Sequence, residues 1–146
     1  MSDDQPFDAM VQIEKLRQEY RDIYTLEQEI LKHGQTDMPV DHEFCNGVYA
    51  RTMHIPAGTV LTGAVHKDES FFVMRSGRLV VTSSNGVKLL VAGDMSITPA
   101  RCKRAGIAIT DVICTTFHPN PDNISDPDAL WSAYTIDIPL LKGVTQ

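Results

Sequence analysis

The sequence predicts a mainly β protein, one antiparallel sandwich or barrel preceded by a single amphipathic helix. Three observations carry this. Apolar residues recur at three- and four-residue steps before residue 33, they alternate with a period of two from Gly47 onward, and no helical stretch interrupts the alternation before His118. Eight short β-rich runs separated by turn residues describe a sheet folded on itself, not a parallel sheet covered by helices.

The helix comes first. Met10, Ile13, Leu16, Tyr20, Ile23, Tyr24, Ile30 and Leu31 form its apolar stripe, with charged residues between them through Lys32. Pro6 suits the first turn, the early aspartates suit the positive end of the helix dipole, and His33 and Gly34 suit the stop. The residues Ile13, Leu16, Tyr20 and Ile23 fit either a face against the chain's own barrel or a short heptad seam with a second copy.

The strands follow as VYARTMHI, TVLTGAVH, SFFVMRSG, RLVVTS, VKLLVAG, MSITP, AGIAIT and DVICTTFH. Ser84, Asn85 and Gly86 join the fourth run to the fifth, and Asn-Gly tolerates the positive φ angles of a type I′ hairpin turn. After His118 the composition shifts to the Pro/Asp-rich PNPDNISDPD, then to a short helix at ALWSAY and a tail ending TIDIPLLKGVTQ. Trp131 and Tyr134 are the residues expected to pin this tail to the barrel. The organisation is therefore a helical arm over residues 1–43, a barrel over 44–118 and a C-terminal arm over 119–146 that packs on the barrel.

Composition excludes several classes. At 146 residues the chain has room for one domain with a hydrophobic core. No apolar run approaches the roughly 18 residues that a membrane span needs. The acidic N-terminus MSDDQPFDAM lacks the basic segment and apolar block of a secretory signal or transit peptide, so a cytoplasmic protein is expected. Cys45, Cys102 and Cys114 are an odd set without CxxC spacing, read as reduced thiols instead of a disulfide framework or zinc knuckle. The net charge of −6 is uneven, with 4 basic and 11 acidic side chains in residues 1–43 against 8 and 4 in residues 44–118. A positive barrel between negative flanks fits an anionic ligand or an electrostatic match of core with flanks. Direct nucleic-acid binding is not expected, because the one basic cluster, Arg101, Lys103 and Arg104, is short and has no interleaved aromatic platform.

From Gly58 onward the punctuation resembles that of the cupin superfamily, whose motifs have the form G-x5-H-x-H-x3,4-E-x6-G and G-x5-P-x-G-x2-H-x3-N. Gly58 and Gly77 bracket the first, and Gly93 to Pro99 reproduces the opening of the second. The resemblance covers roughly residues 47–118 and implies a cupin-type double-stranded β-helix of jelly-roll form. It also implies self-association, since cupins commonly dimerise. The ligand positions depart from the pattern. The first His falls on Ala64, the second on His66, the Glu on Ser70 and the second-motif His on Arg104, while Arg101 and Ala108 replace the closing Gly and Asn. A transition metal needs about three or four protein ligands, and a facing guanidinium repels a cation. The usual metal site is therefore expected to be absent, and no cofactor is expected. Glu69 lies one residue from the Glu position, on the opposite strand parity. A three-histidine set of His54, His66 and His118 is the one metal-binding alternative.

More narrowly, Val48-Tyr49-Ala50-Arg51, Ile55-Pro56-Ala57-Gly58-Thr59, His66-Lys67, Lys103-Arg104 and Thr115-Thr116-Phe117-His118-Pro119 resemble small cupin-like proteins of tailed bacteriophages. That group usually has a histidine where this chain has Ser70. The resemblance implies a phage or prophage origin, in the host cytoplasm or on the virion, without an established activity.

Inside such a barrel His66, Ser70 and Arg104 would meet walls supplied by Phe72, Met74 and Val112. An interior guanidinium needs an acceptor, either a protein carboxylate such as Asp68, Glu69 or Asp111 or the carboxylate or phosphate of a ligand. Three functions stay open. One is a metal-free binder of a small anionic or sugar-like ligand using His66, Ser70, Arg104 and His118. Another is a metal-independent epimerase or isomerase with His66 as base and Tyr49 as acid. The third is a non-catalytic structural or assembly module.

Overall fold

The computed structural model describes residues 18, 21–83 and 86–136. The stripe residues Met10, Ile13, Leu16 and Tyr20, the hairpin residues Ser84 and Asn85, and the tail from residue 137 lie outside them. Helix α1 spans residues 21–30 and gives way to turns at Leu31 and Lys32, close to the expected stop. No helix among the described residues is long and apolar enough to cross a membrane.

Among the described residues eleven strands follow: β1 (Val40–Cys45), β2 (Gly47–Ile55), β3 (Val60–Thr62), β4 (Val65–His66), β5 (Ser70–Ser76), β6 (Arg78–Ser83), β7 (Gly86–Val91), β8 (Met95–Thr98), β9 (Ala105–Ala108), β10 (Val112–Asn120) and, after helix α2 (Pro127–Tyr134), β11 (Thr135–Ile136). They form a five-stranded sheet β1-β2-β10-β5-β8, a four-stranded sheet β3-β9-β6-β7 and a two-stranded ribbon β11-β4, every pairing antiparallel. All eight runs of period two became strands, the second split into β3 and β4 around Gly63 and Ala64. The β6–β7 pairing runs to Ser83↔Gly86, as the Asn-Gly signal implies. Two strands were not anticipated. β1 falls mostly within the segment read as a helical arm, and β11 follows α2 directly.

The core lies between the sheets. Ile55 of β2, Met74 of β5, Leu79 and Val81 of β6, Leu90 of β7, Ala108 of β9, and Val112 and Cys114 of β10 form it, with Met38, Met53, Leu61 and Phe72 packed against them. Alternation therefore sends Tyr49, Arg51, Met53 and Ile55 of β2 inward and Val48, Ala50, Thr52 and His54 outward. The same rule sends Val112, Cys114, Thr116 and His118 of β10 inward, opposite their β2 partners.

The motif glycines earn their places through backbone shape. Gly58, Gly77 and Gly93 have φ of 83°, 88° and 95°. At Gly77 a Cβ would stand 2.1 Å from the Asp111 carbonyl oxygen, so the β5–β6 turn admits only glycine. Arg101, at the closing-glycine position of the second motif, keeps the left-handed backbone with φ 63° and donates its N–H to the His66 carbonyl at 2.8 Å.

α1 is tied to the barrel through Glu27, whose Oε2 accepts from Lys103 Nζ at 2.7 Å and from the Thr62 hydroxyl. Lys103 also donates to the Gly63 carbonyl, and only 6% of its side chain is exposed. Most of the basic cluster is thus spent inside the fold.

Candidate functional site

The inward residues at one end of the five-stranded sheet are aromatic and polar instead of aliphatic. Tyr49 and His118 face each other across the β2–β10 ladder, with ring centroids 5.8 Å apart. His118 stacks in turn on His66 of β4 at 4.7 Å, and Trp131 of α2 meets the His66 ring edge-on at 5.6 Å. On the other side of Tyr49 stand His42 and Phe44 of β1, at 5.8 and 5.2 Å. The Tyr49 hydroxyl lies 2.6 Å from His42 Nδ1. One continuous row of rings therefore runs from the β1 edge to the C-terminal helix.

Arg51 stands beside this row. Its guanidinium carbon lies 5.0 Å from the Trp131 ring centroid, and it has no carboxylate or hydrogen-bond partner among the described residues. Burial pushes its pKa down, but a guanidinium stays charged over any ordinary pH range.

The histidines respond to burial and to that charge. Burial is the largest cause holding His118 down to about 4, followed by His66 and Arg51. His66 is lowered by burial and then by Arg51. Both rings are neutral at physiological pH. His118 Nε2 is 2.8 Å from the Thr116 hydroxyl, whereas His66 Nδ1 is buried with no partner, as is the Tyr134 hydroxyl. Tyr49, His66, His118, Leu130, Trp131, Tyr134 and Thr135 line a half-open pocket around these groups with about 10 Å³ of free space, near the size of one water. A neighbouring recess shares His66, His118 and Tyr134 and reaches Asp68.

The residues singled out from sequence distribute as follows. His66, His118 and Tyr49 come together. Ser70 is buried at the start of β5, opposite Thr98, and does not line the pocket. Arg104 donates from Nε to the Thr82 carbonyl at 3.2 Å and from a terminal nitrogen to the Thr98 hydroxyl at 2.8 Å, linking β6 to β8. Its acceptors are neutral oxygens, and the Asp111 carboxylate is instead engaged by the Ala57 N–H. His54 points outward to Asp41 at 2.9 Å, on the sheet face opposite His66 and His118, so the three-histidine set does not assemble. Glu69 is exposed.

The guanidinium at the histidine pair is Arg51, which the motif comparison had no means of finding. A signal was present: in β2, Arg51 shares the parity of Tyr49, Met53 and Ile55, a charge in an otherwise inward-facing set. The cupin metal does not fit this arrangement. No group of three His, Cys, Asp or Glu suited to a metal occurs among the described residues, and the two histidines that meet have a cation beside them.

No family model matches the sequence, and no curated protein matches it either. Solved structures do match the fold. A cupin superfamily protein from Desulfitobacterium hafniense is 12% identical, with a TM-score of 0.51 over 60% of this chain and 81% of its own. KdgF from Halomonas sp. is 15% identical, with a TM-score of 0.50 over 63% and 91%. A protein from Photorhabdus luminescens is 14% identical, with a TM-score of 0.52 over 61% and 80%. The fold is that of a cupin. In this fold the row of rings and Arg51 lie where β2, β4 and β10 meet α2.

Proposed function

We propose that this cupin-fold chain is a metal-free binder of a small anionic or sugar-acid ligand, held at the barrel mouth by Arg51 with His66 and His118 as neutral hydrogen-bonding partners. One observation carries the reading: a half-buried guanidinium without an acceptor stands beside a buried imidazole nitrogen and a buried phenol that also lack partners. Unpaired buried polar groups are costly, and an oxyanion accepts from both the guanidinium and an imidazole N–H. Neutral histidines can each turn one N–H toward a ligand, and beside a fixed cation they favour carboxylate or phosphate oxygens.

The test is a thermal-shift panel of small carboxylates, sugar acids, nucleotides and inorganic phosphate on wild-type and Arg51→Met protein. A ligand at one hundred times its Kd adds about 2.7 kcal/mol, or roughly 8 °C for a chain of this size. That shift is expected for at least one anion in wild type and for none in Arg51→Met. No shift with any anion, or an equal shift in the variant, removes the reading.

The isomerase reading has less support. The Tyr49 hydroxyl is engaged by His42, and His118 separates it from His66, so it does not face the base across a substrate. The structural-module reading is favoured by a different observation, the exposed apolar outer face of the five-stranded sheet. A phage origin, and with it a host-cytoplasmic or virion location, rests on the sequence resemblance quoted above.

A further inference from the structure

One small element builds most of the pocket wall. α2 and β11 supply Leu130, Trp131, Tyr134 and Thr135, more than half of its lining. Leu130 is 1% exposed and lines the pocket together with the histidine pair. The element holding it there is slight. α2 has eight residues, below the length at which a helix is stable by itself. β11 pairs with β4 over only Thr135↔His66 and Ile136↔Val65, with one further hydrogen bond from Lys67 N–H to the Tyr134 carbonyl at 2.9 Å. Its start is set by Asp126, whose carboxylate accepts the Asp128 N–H at 3.1 Å, just after the irregular segment 121–126. The barrel beneath is closed by its own long ladders, β2 and β10 running side by side for nine residues each.

With α2 in place the pocket over the two histidines has room for about one water, too little for a carboxylate or phosphate to reach His66 and His118 from inside it. We infer that α2 and β11 form a displaceable cover over Arg51, His66 and His118, with Trp131 as its gate. The cover opens locally while the barrel stays folded, and a carboxylate or phosphate enters only in the open state. Trp131 touches both Arg51 and His66 and so links the position of the cover to the two groups a ligand would contact. The ligand half rests on the anion-binding reading, whereas the opening rests on packing alone. Because only the open fraction binds, affinity is reduced by that fraction, and loosening the cover tightens binding.

Hydrogen exchange on the full chain tests the cover directly. Amides of residues 128–136 are expected to exchange about 100-fold faster than the central amides of β2 and β10, as local opening requires. Equal exchange in both regions would overturn the inference. Leu130→Ala is the second arm: it should speed exchange at 128–136 by a further factor of about ten with β2 and β10 unchanged. Trp131 is the only tryptophan in the chain, so acrylamide quenching of its fluorescence should rise in parallel. Loss of protection throughout the barrel in Leu130→Ala would instead make α2 part of the core. The two proposals fail separately. Local opening without an Arg51-dependent melting shift removes the anion site and keeps the cover, while such a shift without local opening removes the cover alone.

Discussion

At the scale of single residues, His118 controls how the fold responds to acid. Its imidazole is held at about 4 in the native state, against about 6.5 in an unfolded chain. Between those values the unfolded state binds the extra proton, so stability rises with pH and is lost as pH falls through the window. The loss is at most roughly 3 kcal/mol, since each unit is about 1.4 kcal/mol. Urea midpoints measured from pH 7 to pH 4 should fall steeply for wild type and much less for His118→Phe; equal slopes would refute the assignment. Arg51 makes the opposite trade. Replacing an unpaired, half-buried guanidinium with methionine should raise the ligand-free melting temperature by a few degrees, on the order of 1 kcal/mol, while ending anion binding. A lowered melting temperature would mean that the contact with Trp131 outweighs the cost of burial. Arg51 and the neighbouring His66 also show what the sequence could convey. His66 was legible because a motif position named it. Arg51 was not, because nothing in a motif distinguishes a guanidinium facing a histidine pair from one on the outer face, and only the parity of β2 does so. Arg104 occupied a ligand position by alignment, but its side chain turned to the Thr82 carbonyl and the Thr98 hydroxyl.

At the scale of elements, legibility followed the strength of the local signal. The runs from β2 to β10 alternate cleanly and are bounded by glycine or proline, and each was readable. β1 was missed because its inward set, Val40, His42 and Phe44, has a histidine at its centre, and its outward set carries Asp41 and Glu43. A strand of that composition is defined by the β2 partner it pairs with, which is information of tertiary origin. β11 is two residues long and exists only because β4 offers an edge. The glycine signals were sound for a physical reason that can be tested at Gly77. Alanine there must adopt φ near 88° and place its Cβ 2.1 Å from the Asp111 carbonyl oxygen, a backbone atom that cannot rotate away. Gly77→Ala is expected to destabilise the fold by about 2 to 4 kcal/mol, or not to fold at all. A change under about 0.5 kcal/mol in denaturant unfolding would show that the β5–β6 turn relaxes at little cost.

At the scale of the whole molecule, the outer face of the five-stranded sheet is covered at its centre, where Thr52 and Thr115 are buried, and open toward β5 and β8. Its cross-strand register aligns Glu43, Ala50, Phe117, Phe71 and Ile97 in one row and Asp41, Thr52, Thr115, Val73 and Met95 in the next. Each row begins with an acid on β1 and ends with an apolar residue on β8. Phe117, Phe71, Ile97 and Met95 are 38%, 48%, 53% and 66% exposed, which makes a contiguous apolar patch over three strands instead of scattered single residues. A flat apolar sheet face is best covered by another such face, packed at about 10 Å. A second copy supplies one by two-fold symmetry. With the axis through the Phe71–Phe117 patch, the acidic β1 edges of the two copies lie on opposite sides, so the like charges that would oppose any closer overlap stay in water. The expectation is therefore a homodimer through this face. Sedimentation at micromolar concentration should give twice the chain mass for wild type and for Leu89→Glu, which puts a charge on the other sheet. Phe71→Glu should give the single-chain mass with unchanged circular dichroism. A wild-type monomer, or a dimer that survives Phe71→Glu but not Leu89→Glu, would transfer the interface elsewhere. The anion site makes the result more informative, because the row of rings from His42 to Trp131 lies on the inner face of the same sheet. A dimer formed through the outer face leaves α2 free to open, and the melting shift in the anion panel should then be the same in wild type and Phe71→Glu once their ligand-free stabilities are subtracted.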